Sequence, residues 1–302
     1  MKQAALLISG ATGNIGSELT KLLSQRGIAF RAMVREPAAA AALAALPGAH
    51  SKGTGSPGSS LAQVIAGDFD DPASLDRALA GVERAFLVTP STAESEARQL
   101  AFVAAAQRAG VRHVVKLSQW AADAASPVRF LRYHAVVESA LKASGMAYTF
   151  LRPNLFMQGL LGFRDMILAK GAFFAPAGTA AISAIDVRDI AAAAAAALTE
   201  PGHEGKTYDL TGPAALTHTE MAALLSIAID RKIAFVDVPE GAMRDALVGL
   251  HMPAWQADGL IEDYAHYRHG EAAEVASGVR DATGQAPRSF ADFARDYAGV
   301  FA

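Results

Sequence analysis

The clearest chemistry in the chain lies near its N-terminus, in Gly10-Ala11-Thr12-Gly13-Asn14-Ile15-Gly16. An early glycine permits a tight turn, a middle one lets a pyrophosphate approach the backbone, and a last one lets a helix pack closely on a strand. Gly10, Gly13 and Gly16 supply those positions. Phosphate oxygens would then meet free N–H groups at a helix start, with Thr12, Asn14 and Ile15 between the glycines. A dinucleotide is the expected ligand. The next chemistry-bearing stretch is Val34-Arg35-Glu36. A site selective for NAD usually holds an acidic residue there, whereas Arg35 suits a 2′-phosphate. Glu36, just before Pro37, fits a helix start, and Arg31 is a weaker helper. The expected cofactor is therefore NADPH (as NADP+ when oxidised) ahead of NADH. No metal is expected: His50, His251, His266 and His269 lack a third ligand at suitable spacing.

The elements that must hold these residues read as alternating strands and helices. Residues 4 to 9 form a buried strand, the glycine loop follows, and Ile15, Leu19, Leu22 and Leu23 mark a helix through Gln25. Further strands are expected at Ala29–Val34, Leu61–Ala66, Arg84–Val88, Arg112–Leu117 and Ala147–Leu151. Helices are expected from the alanine-rich run up to Leu46, and at Pro72–Leu79, Ala93–Ala109 and Val128–Ala143. This rhythm is that of a doubly wound parallel sheet, an α/β Rossmann-type core. Residues 47–60, rich in Gly, Ser and Pro, read as a flexible surface insertion. The core is assigned to residues 1–152. Residues 153–302 form a smaller mixed α/β C-terminal lobe that covers the substrate and partly returns to the main sheet. In that lobe Leu155–Lys170 reads as helix and Thr179–Ile185 as extended chain. Asp186 caps a helix to Leu198, Lys206–Leu210 and Ile233–Val238 are strands, and Thr217 or Thr219 caps a helix to Ile229. The tail from Pro239 is mostly helical.

Composition sets outer limits. The 302 residues are 52% hydrophobic and 19% charged, enough apolar material for a sizeable core. With 27 basic against 30 acidic residues the net charge is -3, so direct nucleic-acid binding is not expected. There is no cysteine, which excludes disulfides, thiolate metal sites and thiol catalysis but leaves cofactor redox chemistry open. The alanine runs Ala38–Ala42 and Ala191–Ala197 are too short to span a bilayer and suit close helix packing. The N-terminus has no signal-peptide pattern. A cytoplasmic monomer or homodimer, not associated with membranes, is the expectation.

The glycine spacing, with Gly67-Asp68-Phe69-Asp70-Asp71, Leu151-Arg152-Pro153-Asn154, Ile185-Asp186-Val187-Arg188-Asp189 and Gly205-Lys206-Thr207-Tyr208-Asp209, resembles the NmrA-like group of atypical short-chain dehydrogenases/reductases. That group includes NADPH-dependent quinone reductases, dye and azo-compound reductases, and redox-sensing regulators. The resemblance implies that Asp68 and Phe69 lie near the adenine, and that Val88, Thr89 and Pro90 line the adenosine ribose and pyrophosphate. It places Leu117, Ser118 and Gln119 beside the nicotinamide, and Asn154, Phe156, Met157 and Trp120 around the acceptor.

Typical short-chain reductases pair a tyrosine with a lysine four residues on. Here Glu138 aligns with a familiar glutamate four residues after that lysine, which puts Phe130 at the tyrosine position and His134 at the lysine position. Phenylalanine cannot donate a proton. Tyr133 is three residues away and points about 60° around the helix from residue 130. His134 is expected to hydrogen-bond the nicotinamide ribose or help protonate product, with Ser118 as its catalytic neighbour. The leading reading is an NADPH-dependent oxidoreductase that passes hydride to a small conjugated acceptor, most readily a quinone. The competing readings are a non-catalytic nucleotide-sensing regulator and a ketone or enone reductase of secondary metabolism.

Overall fold

The computed structural model describes residues 5–36, 43 and 61–302. The expected insertion at 47–60, and all of the preceding helix but Leu43, lie outside the described residues. The main sheet has seven strands, all parallel: β1 (Leu6–Ile8), β2 (Phe30–Val34), β3 (Ala62–Ala66), β4 (Arg84–Leu87), β5 (His113–Leu117), β6 (Ala147–Pro153) and β9 (Lys206–Leu210). Their order is β3-β2-β1-β4-β5-β6-β9, the doubly wound order with one strand added from the second half of the chain.

Side chains alternate between two apolar layers, as the period of two along a strand requires. Leu6 and Ile8 of β1 enter one layer and Leu7 the other; Val115 and Val114 of β5 divide the same way. The first layer is closed by α1 (Asn14–Gln25) and by α6 (Val187–Thr199), and the second by α2 (Pro72–Leu79), α3 (Ser95–Arg108) and α4 (Arg129–Ala143). Ala191 and Ala193 to Ala197 are all buried, so the alanine run brings α6 close to the sheet and to α1. Asp186 caps α6 by accepting from the Arg188 N–H. α10 (Gly278–Thr283) joins this layer through Val279 and Ala282.

The remainder builds a third apolar cluster around Ile167, Phe173, Met221, Leu225 and Phe293. This part of the chain comprises α5 (Arg164–Lys170), β7 (Ala172–Ala175), β8 (Ala181–Ile182), β10 (Leu216–Thr217), α7 (His218–Ile229), β11 (Ala234–Asp237), α8 (Glu240–Gly249), α9 (Ala254–Arg268), α11 (Phe290–Asp296) and α12 (Ala298–Phe301), with Ile182, Tyr264 and Tyr267 in a smaller cluster of their own. β7 pairs in parallel with β11, and β8 antiparallel with β10. Thr217 caps α7 in a reciprocal pair with Glu220, a feature worth about 1 kcal/mol.

One expectation needs correction and one strand was unread. Residues 155–170 are not one helix: Met157–Phe163 is a 3₁₀ segment and only Arg164–Lys170 is α-helical. Gly159 and Gly162 weaken the α form there, and the Gln158 side chain is held by Asp186 and the Val187 N–H. The strand Ala172–Ala175 was not foreseen, because its pairing with β11 joins segments far apart in the chain.

Candidate active site

A cavity of about 840 Å³ lies beyond the C-terminal ends of β1, β2, β4, β5 and β6. This is where an open parallel sheet binds its ligands. The glycine loop forms one end. Gly10 has φ +58, and a Cβ there would stand 2.6 Å from Val88 Cγ1. A Cβ on Gly16 would stand 2.0 Å from the Gly10 carbonyl oxygen, so that position excludes any other residue. The Ser9 hydroxyl donates to Phe86 O at 2.9 Å and accepts from Val88 N at the same distance, tying β1 to β4 beneath the loop. α1 begins with no side-chain cap and no acidic residue in its first turn. Its N–H groups and positive dipole end therefore face the cavity without a competing anion.

The predicted cofactor residues converge on this cavity: Gly10, Thr12, Gly13, Asn14, Ile15, Gly16, Arg35, Asp68, Phe69, Val88, Thr89, Pro90, Leu117 and His134 all line it. Arg35 is exposed just past β2. Asp68 Oδ1 accepts from the Asp70 N–H at 3.0 Å, and Asp70 is fixed by a fork of hydrogen bonds from Arg98 at 2.8 and 2.5 Å. Thr89 Oγ1 accepts from Gln99 Nε2 at 2.8 Å, and the buried Gln99 Oε1 has no partner among the described residues. A buried acceptor in the wall, a loop with no room for Cβ atoms and an uncapped helix start together fit a bound dinucleotide.

At the other end the structure brings together Gln119, Trp120, Asn154 and Phe156. Met157 is not among them. It is buried and lines a separate apolar cavity of about 170 Å³, with Ile182, Met221 and Phe290. Residue 157 starts the 3₁₀ segment, so its side chain turns away from that of Phe156. Asn154 is a brace as much as a lining residue: its amide donates to Ser183 Oγ and Ala272 O, both at 2.9 Å. Trp120 Nε1 donates to Glu271 O at 2.9 Å, which docks the indole against the C-terminal half.

The two predicted catalytic residues are more constrained than their sequence positions implied. Ser118 is buried and donates its hydroxyl proton to Glu138 at 2.6 Å; Glu138 is paired in turn with Arg152. His134 is also buried, with Nδ1 2.7 Å from Lys116 Nζ. Lys116 has no exposed surface and donates to Leu117 O at 3.1 Å. Burial pushes the lysine down to about 7 and holds His134 well below its ordinary range, with the lysine charge adding to the latter effect. When Lys116 is charged it can only donate, so Nδ1 accepts and the proton of neutral His134 sits on Nε2. In that state His134 is a hydrogen-bond donor in the cavity wall.

Phe130, expected at the usual tyrosine position, is a packing strut. A Cβ on Gly259 would meet its ring at 2.3 Å, so glycine is what lets α9 approach α4 there. Tyr133 lines the cavity, shares a hydrogen bond with Ser91 at 3.1 Å, and is pushed by burial up to about 12.

Sequence reasoning missed the contribution of α9. Gln256, Leu260, Asp263 and Tyr267 recur at helical spacing and face the cavity. The available signal was an aspartate within the apolar stripe of a tail helix. Lys116 was missed because a lone lysine in a strand carries no motif. Among the described residues no group of acidic or histidine side chains has the arrangement of a metal site, and no helix is long and apolar enough to cross a membrane.

Comparison with known proteins agrees with this geometry. An NAD(P)H azoreductase of Xenophilus azovorans is 39% identical over 296 residues, covering 98% of this chain and 99% of that protein. A (4-alkanoyl-5-oxo-2,5-dihydrofuran-3-yl)methyl phosphate reductase of Streptomyces griseus is 36% identical over 298 residues, covering 98% and 99%. Among solved structures, an NADPH-dependent quinone oxidoreductase of Escherichia coli complexed with NADPH superposes with a TM-score of 0.82 at 29% identity, over 96% of this chain and 99% of that one. The model of the NmrA-like family matches residues 2–286, and the chain belongs to that family.

Proposed function

We propose that this protein is an NADPH-dependent reductase that delivers hydride to a small, planar, conjugated acceptor such as a quinone or an azo compound. The observation that carries the reading is the single cavity that runs from the uncapped start of α1 to a chamber walled by Trp120, Phe156 and Tyr267. It joins a dinucleotide-sized cleft to an aromatic acceptor site. The similarity to an azoreductase and to an NADPH-complexed quinone oxidoreductase supports it.

Bound NADPH supplies the hydride. The chain's part is to bind, align and dry the reactants. Backbone N–H groups of the glycine loop and of the first turn of α1 hold the pyrophosphate, and Arg35 takes the 2′-phosphate. Asp68 and Phe69 flank the adenine, and Val88, Thr89 and Pro90 line the adenosine ribose and pyrophosphate. Leu117 and the Nε2–H of His134 position the nicotinamide riboside. Trp120 and Phe156 offer apolar faces to the acceptor, and Gln119 a polar edge. Residues 1–152 carry most of the cofactor contacts and 153–302 cover the acceptor, although β9 and α6 of the second part return to the main sheet. We read the protein as cytoplasmic, where NADPH is regenerated.

The test is purified protein with NADPH, followed by nicotinamide absorbance against a panel of quinones, azo dyes, ketones and enones. Turnover on quinones or azo dyes but not simple ketones is expected. Tight NADPH binding without turnover on any acceptor would refute the reading and favour a nucleotide sensor.

A further inference from the structure

The reductase reading leaves the proton unassigned. Ser118 is committed to Glu138, Phe130 has no proton to give, burial keeps His134 a neutral imidazole that is a poor acid, and burial makes Tyr133 a poor acid too. Asp263 has a different setting. It is buried at 5% exposure on α9 yet lines the cavity with Gln119, Trp120 and Tyr133. Its only hydrogen-bond partner among the described residues is the Gln119 amide, which donates to Oδ1 at 3.0 Å and Oδ2 at 3.1 Å. No cation lies within ion-pair distance of it among the described residues. Its acidic helix neighbour Glu262 is taken by Arg129 at 2.6 Å.

We propose that the Asp263 carboxyl group, held in the cavity wall by Gln119, is the proton donor to the acceptor. This inference rests on the reductase reading. A carboxyl group buried without a cation favours its protonated form, because desolvation penalises the anion more than one amide can repay. Asp263 is accordingly raised to about 7. The groups around it do not reverse this. Tyr133 from α4 and Tyr264 and Tyr267 from α9 are themselves pushed up by burial; the nearby Glu262 charge disfavours a second anion; His266 is paired with Glu271. The carboxyl group is thus an acid poised near neutral pH, and general acid catalysis is most effective when the acid's pKa lies near the operating pH.

The step balances as follows. Hydride carries an electron pair to one azo nitrogen; the π pair of the N=N bond moves to the other nitrogen, which takes the Asp263 proton. The azo group becomes a hydrazo group, the nicotinamide is oxidised, and solvent returns a proton to the Asp263 carboxylate. A quinone needs the same proton on its second oxygen, but its hydroquinone anion is a weak base. A cationic triarylmethane dye needs none, since hydride neutralises its central carbon directly.

The experiment compares wild type with Asp263→Asn on an azo dye, a quinone and a cationic triarylmethane dye, each with NADPH. The ratio of azo to triarylmethane kcat should fall about 100-fold in the variant, the quinone ratio less. In the wild type, azo kcat should decline as pH rises through about 7, and that limb should vanish in the variant. Independently of turnover, ¹³C-carboxyl NMR of aspartate-labelled protein without NADPH should show one resonance titrating near neutral pH, absent from Asp263→Asn. Unchanged ratios and pH limb in an active enzyme, or no such resonance in the wild type, would overturn the proposal while leaving the reductase reading intact. A wild type inactive on every acceptor would overturn both.

Discussion

Replacing Lys116 with methionine should change how stability depends on pH, by an amount that follows from the lysine's setting. Lys116 lies in β5 with no exposed surface, and among the described residues its ammonium meets only Leu117 O and His134 Nδ1. Burial lowers its pKa from 10.5 to about 7. Between those limits the unfolded chain holds a proton that the folded chain has released, so wild-type stability rises with pH at about 1.4 kcal/mol per unit. From pH 7.5 to 9.5 the gain is about 2.5 kcal/mol, after allowing for partial titration at both ends. Methionine matches the lysine stem in volume and does not titrate. His134, whose titration the lysine charge does affect, is neutral throughout this pH range, so the other groups nearly cancel in the difference. Urea unfolding at the two pH values should therefore show Lys116→Met gaining on wild type at pH 7.5 and losing about 2.5 kcal/mol of that advantage by pH 9.5. A stability difference that stays constant within about 0.5 kcal/mol would mean that Lys116 keeps an ordinary pKa in the fold, and would refute the argument from desolvation.

Three further outcomes are expected. Arg35→Ala should weaken NADPH roughly 10- to 100-fold, the worth of one charge-assisted phosphate contact, and leave NADH nearly unchanged; equal losses for both by calorimetry would remove Arg35 from the 2′-phosphate. Ser118→Ala should cost about 1–2 kcal/mol in urea unfolding, because Glu138 loses a buried donor, without reshaping the pH–rate profile; a shifted limb would make Ser118 part of the proton path. Gly259→Ala should destabilise by about 1–3 kcal/mol, since its methyl would stand 2.3 Å from the Phe130 ring; an unchanged unfolding midpoint would show that α9 and α4 can move apart freely.

Much of the fold was legible because it rests on short-range signals. The glycine loop, α1 ending at Gln25 and α2 at Pro72–Leu79 fall where turn chemistry, apolar period and a proline at the helix start put them. The capping aspartate of α6 was readable for the same reason. Residues 155–170 were misread because an apolar run looks alike in a 3₁₀ segment and an α-helix; only the contacts of Gln158 with Asp186 and Val187 separate the two. In the cavity, the glycine-loop side was legible and the α9 side was not.

The sequence by itself determined the strand-and-helix alternation, the dinucleotide loop and the arginine after β2, since each is a matter of residue type at a local spacing. Only the tertiary structure decided that Ser118 is tied to Glu138, that Lys116 is buried against His134, and that Asp263 meets Gln119 across a separation of 144 residues. The reason is physical: a strand or a turn is specified by neighbours along the chain, whereas the protonation state of a side chain is set by the solvent it loses and the charges it meets, and both are fixed by packing between distant segments.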